Sequence, residues 1–341
     1  MKVFDVLLSD EVLEEALTRT YKTKIDVLTS KFIIKNNNKP FRLGMITFTV
    51  STNHGKKNVE VIVKDSTHHE ILMQSIANKL LPYSSPKIIY YDACPESPLL
   101  IIENIDSWVD IAGISRVNET LIDGLYEMHI KTFDNTALLS NSFSIPVMTG
   151  STLYRRTSSF ITQIGDQITN PIFERIRNID IQELLSFATE YLVGIGQIEF
   201  PYVLVHNNFT HNSVRAIKDS NDNVHVIAYD WGNALIGWPQ IDLVYLLDRV
   251  NVLAASQQLA TPAPVLLLRY LNRLMNDFNI DGNAFYHVFY TCAVCNALAI
   301  MGWWINHYVT KSTADPQRVF LEINTKLTEL SNIKSSVERE G

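Results

Sequence analysis

Segments rich in β-branched and aromatic residues crowd into the first third of this 341-residue chain and then all but stop. KIDVL, KFIIKN, ITFTVST, NVEVIVK, PKIIYYD and PLLIIENI all lie before residue 106, and such runs are strand formers. Asn36, Asn37, Asn38 and Pro40 mark one turn, and Asn53-His54-Gly55 another, so ITFTVST-NHGKK-NVEVIVK reads as a hairpin. Helices are expected over 11–19, with Asp10 as its cap and Glu14 and Glu15 in its early turns, and over 68–81. Beyond residue 105 the pattern turns helical, near 117–132, 150–178, 181–198, 240–256, 262–279, 283–309 and 315–333. Two short strands, YVLVHNN and HVIAYDW, interrupt it. There is no internal repeat, low-complexity tract or proline-rich linker. The order implies an α+β chain with a small β-rich lobe over 1–105 and a larger helical lobe over 106–341. A crevice between such lobes is a common ligand site.

Charge and cysteine usage narrow the function classes. The net charge of −7 argues against a nucleic-acid backbone as partner, because phosphate binding needs clustered Lys and Arg. Three cysteines, Cys94, Cys292 and Cys295, and an N-terminus with acids where a leader needs an apolar run lead us to expect a reducing cytoplasm. Val288 to Ile305 approaches the length of a membrane span. It carries Asn296 and is flanked by His287 and His307, so a buried core helix is expected and no membrane. Cys292 and Cys295 read as small buried thiols, because no second ligand pair suggests zinc. Trp303, Trp304 and Tyr308 read more readily as a packed aromatic cluster than as a cation pocket.

Two segments hold most of the chemistry: VLVHNNFTHNSV, 203–214, and VIAYDWGNALIGWPQIDL, 226–243. Each is an apolar strand ending abruptly in polar residues. As neighbouring strands they would place His206, Asn208, Ser213 and Asp230 in one crevice. Phosphoryl transfer needs such a set: a metal-binding acid, a second metal ligand and a group that takes the hydroxyl proton.

Here the sequence resembles the aminoglycoside phosphotransferase and choline kinase superfamily. Asp230-Trp231, Gly237, Pro239, Asp242 and Leu243 match its metal-binding segment, I-D-W-E followed by G-x-P-x-x-D-L. His206-Asn207 resembles the start of its catalytic loop, H-N-D-x-x-x-x-N in choline kinases. Lys64, in VEVIVKD, resembles the lysine that grips nucleotide phosphates, and Glu70 its ion-pair partner. LLIIENI, with Glu103 and Ile105, resembles the hinge strand whose backbone meets adenine, and LYEMHI, with His129, a helix of the large lobe. The resemblance implies a protein-kinase-like two-lobed fold that binds ATP or another nucleoside triphosphate with Mg²⁺. It also implies transfer of phosphate to a hydroxyl on a small molecule or a peptide. Asp230 would hold the metal, assisted by Ser213 or Asn212, and His206 would organise the loop.

The departures bear on activity. The catalytic aspartate of the pattern falls on Asn208, its metal-binding asparagine on Ser213, and the acid after D-W on Gly232. Gly44 and Gly55 are isolated, so there is no glycine-rich phosphate loop. An amide is not basic, so Asn208 can orient a hydroxyl without accepting its proton. Loss of general-base help costs ~10²–10⁴ in rate. The sequence therefore supports two readings: an impaired phosphotransferase, or a pseudokinase that binds a nucleotide or a protein partner. A deliberate Asp-to-Asn exchange would explain Asn208 alone, and Ser213 favours natural divergence for at least part of the change. Bland alternatives stand beside these roles, with Lys64 as a charged edge-strand residue and His68 and His69 as surface histidines.

Overall fold

The computed structural model describes residues 2–4, 6–37, 42–94, 96, 98–104, 117–133, 135–170, 173, 179–210, 212–218, 224–254, 263–310 and 315–340. The hinge candidate Ile105 and the lobe boundary at 105–106 lie outside the described residues. The chain forms two compact units that do not follow chain order: Met1–Asp134, His206–Ala234 and Arg249–Pro262 in the first, and Asn135–Val205, Leu235–Asp248 and Ala263–Gly341 in the second.

The first unit is built on a five-stranded antiparallel sheet, β3-β4-β5-β7-β6, made of Asp26–Asn36, Leu43–Thr52, Gly55–Asp65, Leu99–Glu103 and Ile88–Asp92. A small ribbon, β1 (Lys2–Val3) and β2 (Val6–Leu7), precedes it. KIDVL and KFIIKN, expected as separate strands, are one strand with a register shift between Val27 and Thr29. The expected hairpin forms, but the strands run on until Thr52 faces Gly55, leaving only Asn53-His54 in the turn. Gly55 takes φ +100, which a β-carbon would oppose. Lys64 does not lie on an edge strand: β5 sits between β4 and β7.

Period-two alternation sorts the sheet into two faces. Val61, Val63, Leu99 and Ile101 join Phe48, Leu13 and Leu17 in the larger cluster. The opposite set, Ile62, Leu100 and Ile102, packs with Ile71 of helix α2 (His68–Leu80), and Ile88 and Tyr229 close over it. Lys64 shares the alternation phase of Ile62, so it points to the side that carries α2. Helix α1 runs Asp10–Tyr21, and its cap is Ser9, whose Oγ accepts from the Val12 N–H at 3.2 Å. Asp10 is the first helical residue, not the cap; a hydroxyl one position earlier satisfies the orphan donor. Helix α3 spans Val117–Phe133, and its Gly124 lies against Val226, where a β-carbon would collide at 2.5 Å.

The second unit is mostly helical: α4 (Thr136–Phe143), α5 (Gly150–Asp166), α6 (Ile181–Tyr191), α7 (Gln240–Ala254, as far as Asp248), α8 (Ala263–Phe278), α9 (Gly282–Thr310) and α10 (Pro316–Glu340). Helices α7, α8 and α9 match the expected helices within two residues. Helices α5 and α6 stop at Asp166 and Tyr191, short of the expected 178 and 198, α10 runs past the expected 333 to Glu340, and α4 has no expected counterpart. Helix α9 holds the apolar run, is long and apolar enough to cross a membrane, and has 61% of that window buried. It packs on α5, α8 and α10. Cys292 and Cys295 are buried on it, and burial pushes the Cys295 thiol up to about 12, so both are inert packing groups. Trp303 stacks on His307 at 5.1 Å and meets Trp304 edge-on, yet remains 56% exposed, so a surface cluster forms with His307, and the expected packing of Trp303 and Trp304 with Tyr308 is met only in part.

One buried charge organises this unit. Lys326 of α10, 3% exposed, donates to Asp248 of α7 at 2.5 Å and to Glu329 at 2.7 Å. Burial pushes its pKa down, but Glu329 and Asp248 outweigh that and hold it above the ordinary lysine value. Removing one partner of a buried pair strands the others. Lys326→Ala should therefore lower unfolding stability by about 3 kcal/mol in urea titrations. Loss of the exposed Lys24–Asp26 contact should hardly register. Equal, small effects at the two positions would show that Lys326 is not a structural charge.

Candidate functional site

The site grows from the strand end that carries Lys64. A bidentate ion pair locks the neighbouring Asp65: Arg42 donates Nε to Oδ2 at 2.8 Å and Nη2 to Oδ1 at 2.9 Å. The two main chains are tied as well, with the Asp65 N–H donating to the Arg42 carbonyl at 3.0 Å. Arg42 is 5% exposed and lies over the Phe4 ring. A planar fork held this way fixes the register of β5 at the residue beside Lys64.

Helix α2 then supplies the first carboxylate. Thr67 caps it by accepting the Glu70 N–H at 3.0 Å. Thr67-His68-His69-Glu70 is thus the N-terminal half of a capping box, a signal legible in the sequence. The Glu70 carboxylate does not return to the cap; it pairs with Lys64 Nζ and accepts from Ser66 Oγ at 2.8 Å. His69, expected as a surface histidine, contacts the Ala234 carbonyl through Nε2 at 2.8 Å and ties α2 to the stretch after Asp230. His68 is exposed and reaches only the Ala93 carbonyl.

Asp230 supplies the second carboxylate. It takes φ +67 and ψ 57, a left-handed conformation that aspartate tolerates better than most residues. This bend ends the strand β10 (Val224–Ala228) and turns the side chain to Lys64, whose Nζ lies 3.0 Å from Oδ1. The ammonium therefore bridges Glu70 and Asp230. Burial pushes Lys64 down, but Glu70 and then Asp230 outweigh it and hold its pKa above the usual lysine value. Burial likewise pushes the Asp230 carboxyl up; Lys64 outweighs it, with His206 adding, and keeps the carboxyl below the usual range. Asp230 is ionised and its side chain is 52% exposed, so one carboxylate face stays open to solvent. At Gly232 a β-carbon would meet Glu70 at ordinary contact distance, 3.8 Å. A β-carbon fits there without strain.

The loop 206–213 packs under Asp230. His206, 1% exposed, meets the Tyr229 carbonyl through Nε2 at 2.9 Å and sits edge-on to Trp231 at 4.9 Å and Phe209 at 6.1 Å. That enclosure makes it an organiser of the loop. Asn207, at φ +57, donates Nδ2 to the Asn233 carbonyl at 3.1 Å. The Ser213 hydroxyl is turned inward: it accepts from the Thr210 N–H at 2.9 Å and faces the Asn208 and Thr210 carbonyls at 2.5 and 3.1 Å. Its proton and one lone pair are thus committed to the loop, which leaves little for a metal. Asn212 is exposed, and its carbonyl accepts from the Tyr229 hydroxyl. Asn208 is half-buried, with its carbonyl held by Ser213.

The two chemistry-bearing strands are not neighbours, contrary to expectation. Strand β8 (Val203–Val205) pairs with β11 (Leu235–Gly237), and β10 pairs with β9 (Val214–Lys218). VRAIK is short and shows no strict polar–apolar alternation, so it carries little strand signal. The side chains converge all the same, through His206 and Tyr229. Glu103 stands apart from the Lys64 cluster. Its carboxylate is 3.4 Å from Lys87 Nζ and accepts the Lys87 N–H at 3.0 Å, while its own N–H donates to the Lys87 carbonyl.

No family model and no curated protein matches the chain in sequence. Solved structures do match. An aminoglycoside 2'-phosphotransferase-IIIa in its GDP complex superposes with TM-score 0.55 at 12% identity, covering 96% of this chain and 99% of that one. A macrolide 2'-phosphotransferase type I gives 0.54 at 11% identity over 97% and 99% of the two chains. An ethanolamine kinase of Plasmodium vivax gives 0.51 at 12% identity over 91% and 83%. The fold is thus a kinase-like, two-lobed α+β fold, which this chain shares with these phosphotransferases and this kinase.

The position of Ser213 makes a direct prediction. Ser213→Ala leaves the Thr210 N–H without its acceptor, so urea unfolding should show a loss of about 1–3 kcal/mol. A change too small to measure would mean that the hydroxyl is not a brace and is available for other work.

Proposed function

We propose that this chain binds a nucleoside triphosphate with magnesium at Lys64 and Asp230. On this reading it is an O-phosphotransferase for a small hydroxyl-bearing acceptor, or a peptide hydroxyl, with a slow transfer step. The observation that carries the proposal is the Lys64 ammonium, paired with Glu70 and 3.0 Å from Asp230. A lysine so placed is an electrostatic clamp for phosphates, and its two carboxylates keep it charged. The fold supports the reading, since the structural neighbours are phosphotransferases acting on small hydroxyl compounds, and one is a GDP complex.

The residues fit magnesium at one point. Asp230 is an ionised, half-exposed carboxylate, a hard oxygen ligand. Asn212 is exposed in the loop, whereas Ser213 is largely committed elsewhere. Bound metal would neutralise charge on the transferring phosphates. Glu70 holds Lys64 in place, and Asn208 orients the acceptor hydroxyl without taking its proton. The strand end at Glu103, and Ile105 as the resemblance implies, would meet the base. A reducing, cytoplasmic setting belongs to the same proposal.

The loop also favours a second reading, a non-catalytic nucleotide- or partner-binding module. Asn208 lacks a basic oxygen, and Ser213 is spent on the loop. Thermal unfolding with and without Mg-ATP, for this chain and for Asp230→Ala, tests the nucleotide step. At 100 times the dissociation constant the ligand should add about 2.7 kcal/mol to the intact chain and little to the variant. The absence of any shift at millimolar nucleotide would end the phosphotransferase reading and leave a scaffold that binds a partner without nucleotide. Asn208→Asp then separates them: a phosphotransferase should gain ~10²–10⁴ in transfer to a hydroxyl acceptor, and a binding module should gain nothing.

A further inference from the structure

The loop 206–213 is tied to one residue to which neither reading assigns a task. The Tyr229 N–H donates to the Ser213 carbonyl at 3.0 Å. Its carbonyl meets His206 Nε2 at 2.9 Å, and its hydroxyl donates to the Asn212 carbonyl. One residue thus contacts the loop at its start and twice near its end, while its own peptide neighbour is Asp230. Its ring is held as well. The apolar cluster of Ile62, Ile71, Leu100 and Ile102 packs against it, and the Arg215 guanidinium lies over it at 5.3 Å. Ile62 is two residues before Lys64 on the same strand face, and Ile71 follows Glu70. The aromatic body of Tyr229 therefore rests on the elements that carry the clamp, and its polar edge reaches the loop. An aliphatic residue would fill the same apolar space, but it could not reach Asn212.

We propose that Tyr229 is a positioning residue: it sets the loop, and Asn212 above all, relative to Asp230. Its effect on ligand binding rests on the magnesium-nucleotide reading; its hold on the loop does not. Tyr229→Phe keeps the ring and removes only the hydroxyl. Amide hydrogen exchange and isothermal titration of the full chain provide the test. Exchange in peptides covering 207–213 should quicken roughly 2- to 10-fold, the worth of one hydrogen bond, with the β4–β5 peptides unchanged relative to them. The dissociation constant for Mg-ATP should rise by a similar factor, while that for ATP in EDTA stays where it was. A purely structural role would speed exchange everywhere or weaken both complexes alike, and either outcome overturns the proposal, as does unchanged exchange in 207–213. If the intact chain binds no nucleotide, the functional reading falls. The exchange pattern alone then decides whether Tyr229 holds the loop.

Discussion

A single ammonium group held between two carboxylates from distant parts of the chain is the contact on which the rest of the first unit turns. Lys64 and Asp230 are separated by 166 positions, and Glu70 arrives on a helix of its own. Each must be delivered by rigid surroundings, because a pair with one half-exposed partner supplies little stability of its own. The surroundings are visible: the Arg42–Asp65 fork beside Lys64, the Thr67 cap beneath Glu70, and the left-handed bend at Asp230. The stability that holds the site lies in those supports and in the apolar sheet face, and the charges exploit it.

The site keeps a negative charge at Asp230 and a positive charge at Lys64, and the proposed function rests on that pair. The Ser213 hydroxyl works inward instead: it is short enough to hook back on its own main chain, which braces the turn and gives up reach. On the proposed reading, binding and turnover are therefore separate questions for this molecule.

Much of this was legible in the sequence, and the reasons are local. The β-branched runs and the long apolar periods show strands and helices because burial is periodic. Asp230-Trp231 and Gly237-x-Pro239 stand out because few structures need that combination. Lys64 and Glu70 were legible as a pair only through resemblance. What stayed hidden was set by geometry at a distance. The pairing of β8 with β11 and β10 with β9 depends on partners that no local pattern names. Ser9 displaced Asp10 as a cap by a single residue, within the ordinary uncertainty of helix ends. Tyr229 looked like one more strand aromatic, because its three contacts exist only once the loop has folded back. Arg42 and Asp65 were unremarkable surface letters until the β4–β5 register brought them together.

Helix α9 has a consequence for how the protein is made. Its apolar stretch would satisfy a membrane as readily as a protein interior, and what keeps it in water is cover from its neighbours. Two of those, α5 and α8, precede it in the chain; the third, α10, is the last element described. A ribosome therefore releases the most oil-soluble segment before its final wall exists. Until α10 has been added, the nascent chain carries an exposed greasy flank. Shortened products that end before α10 would keep that flank indefinitely, and quality-control machinery should recognise them before any question of catalysis arises.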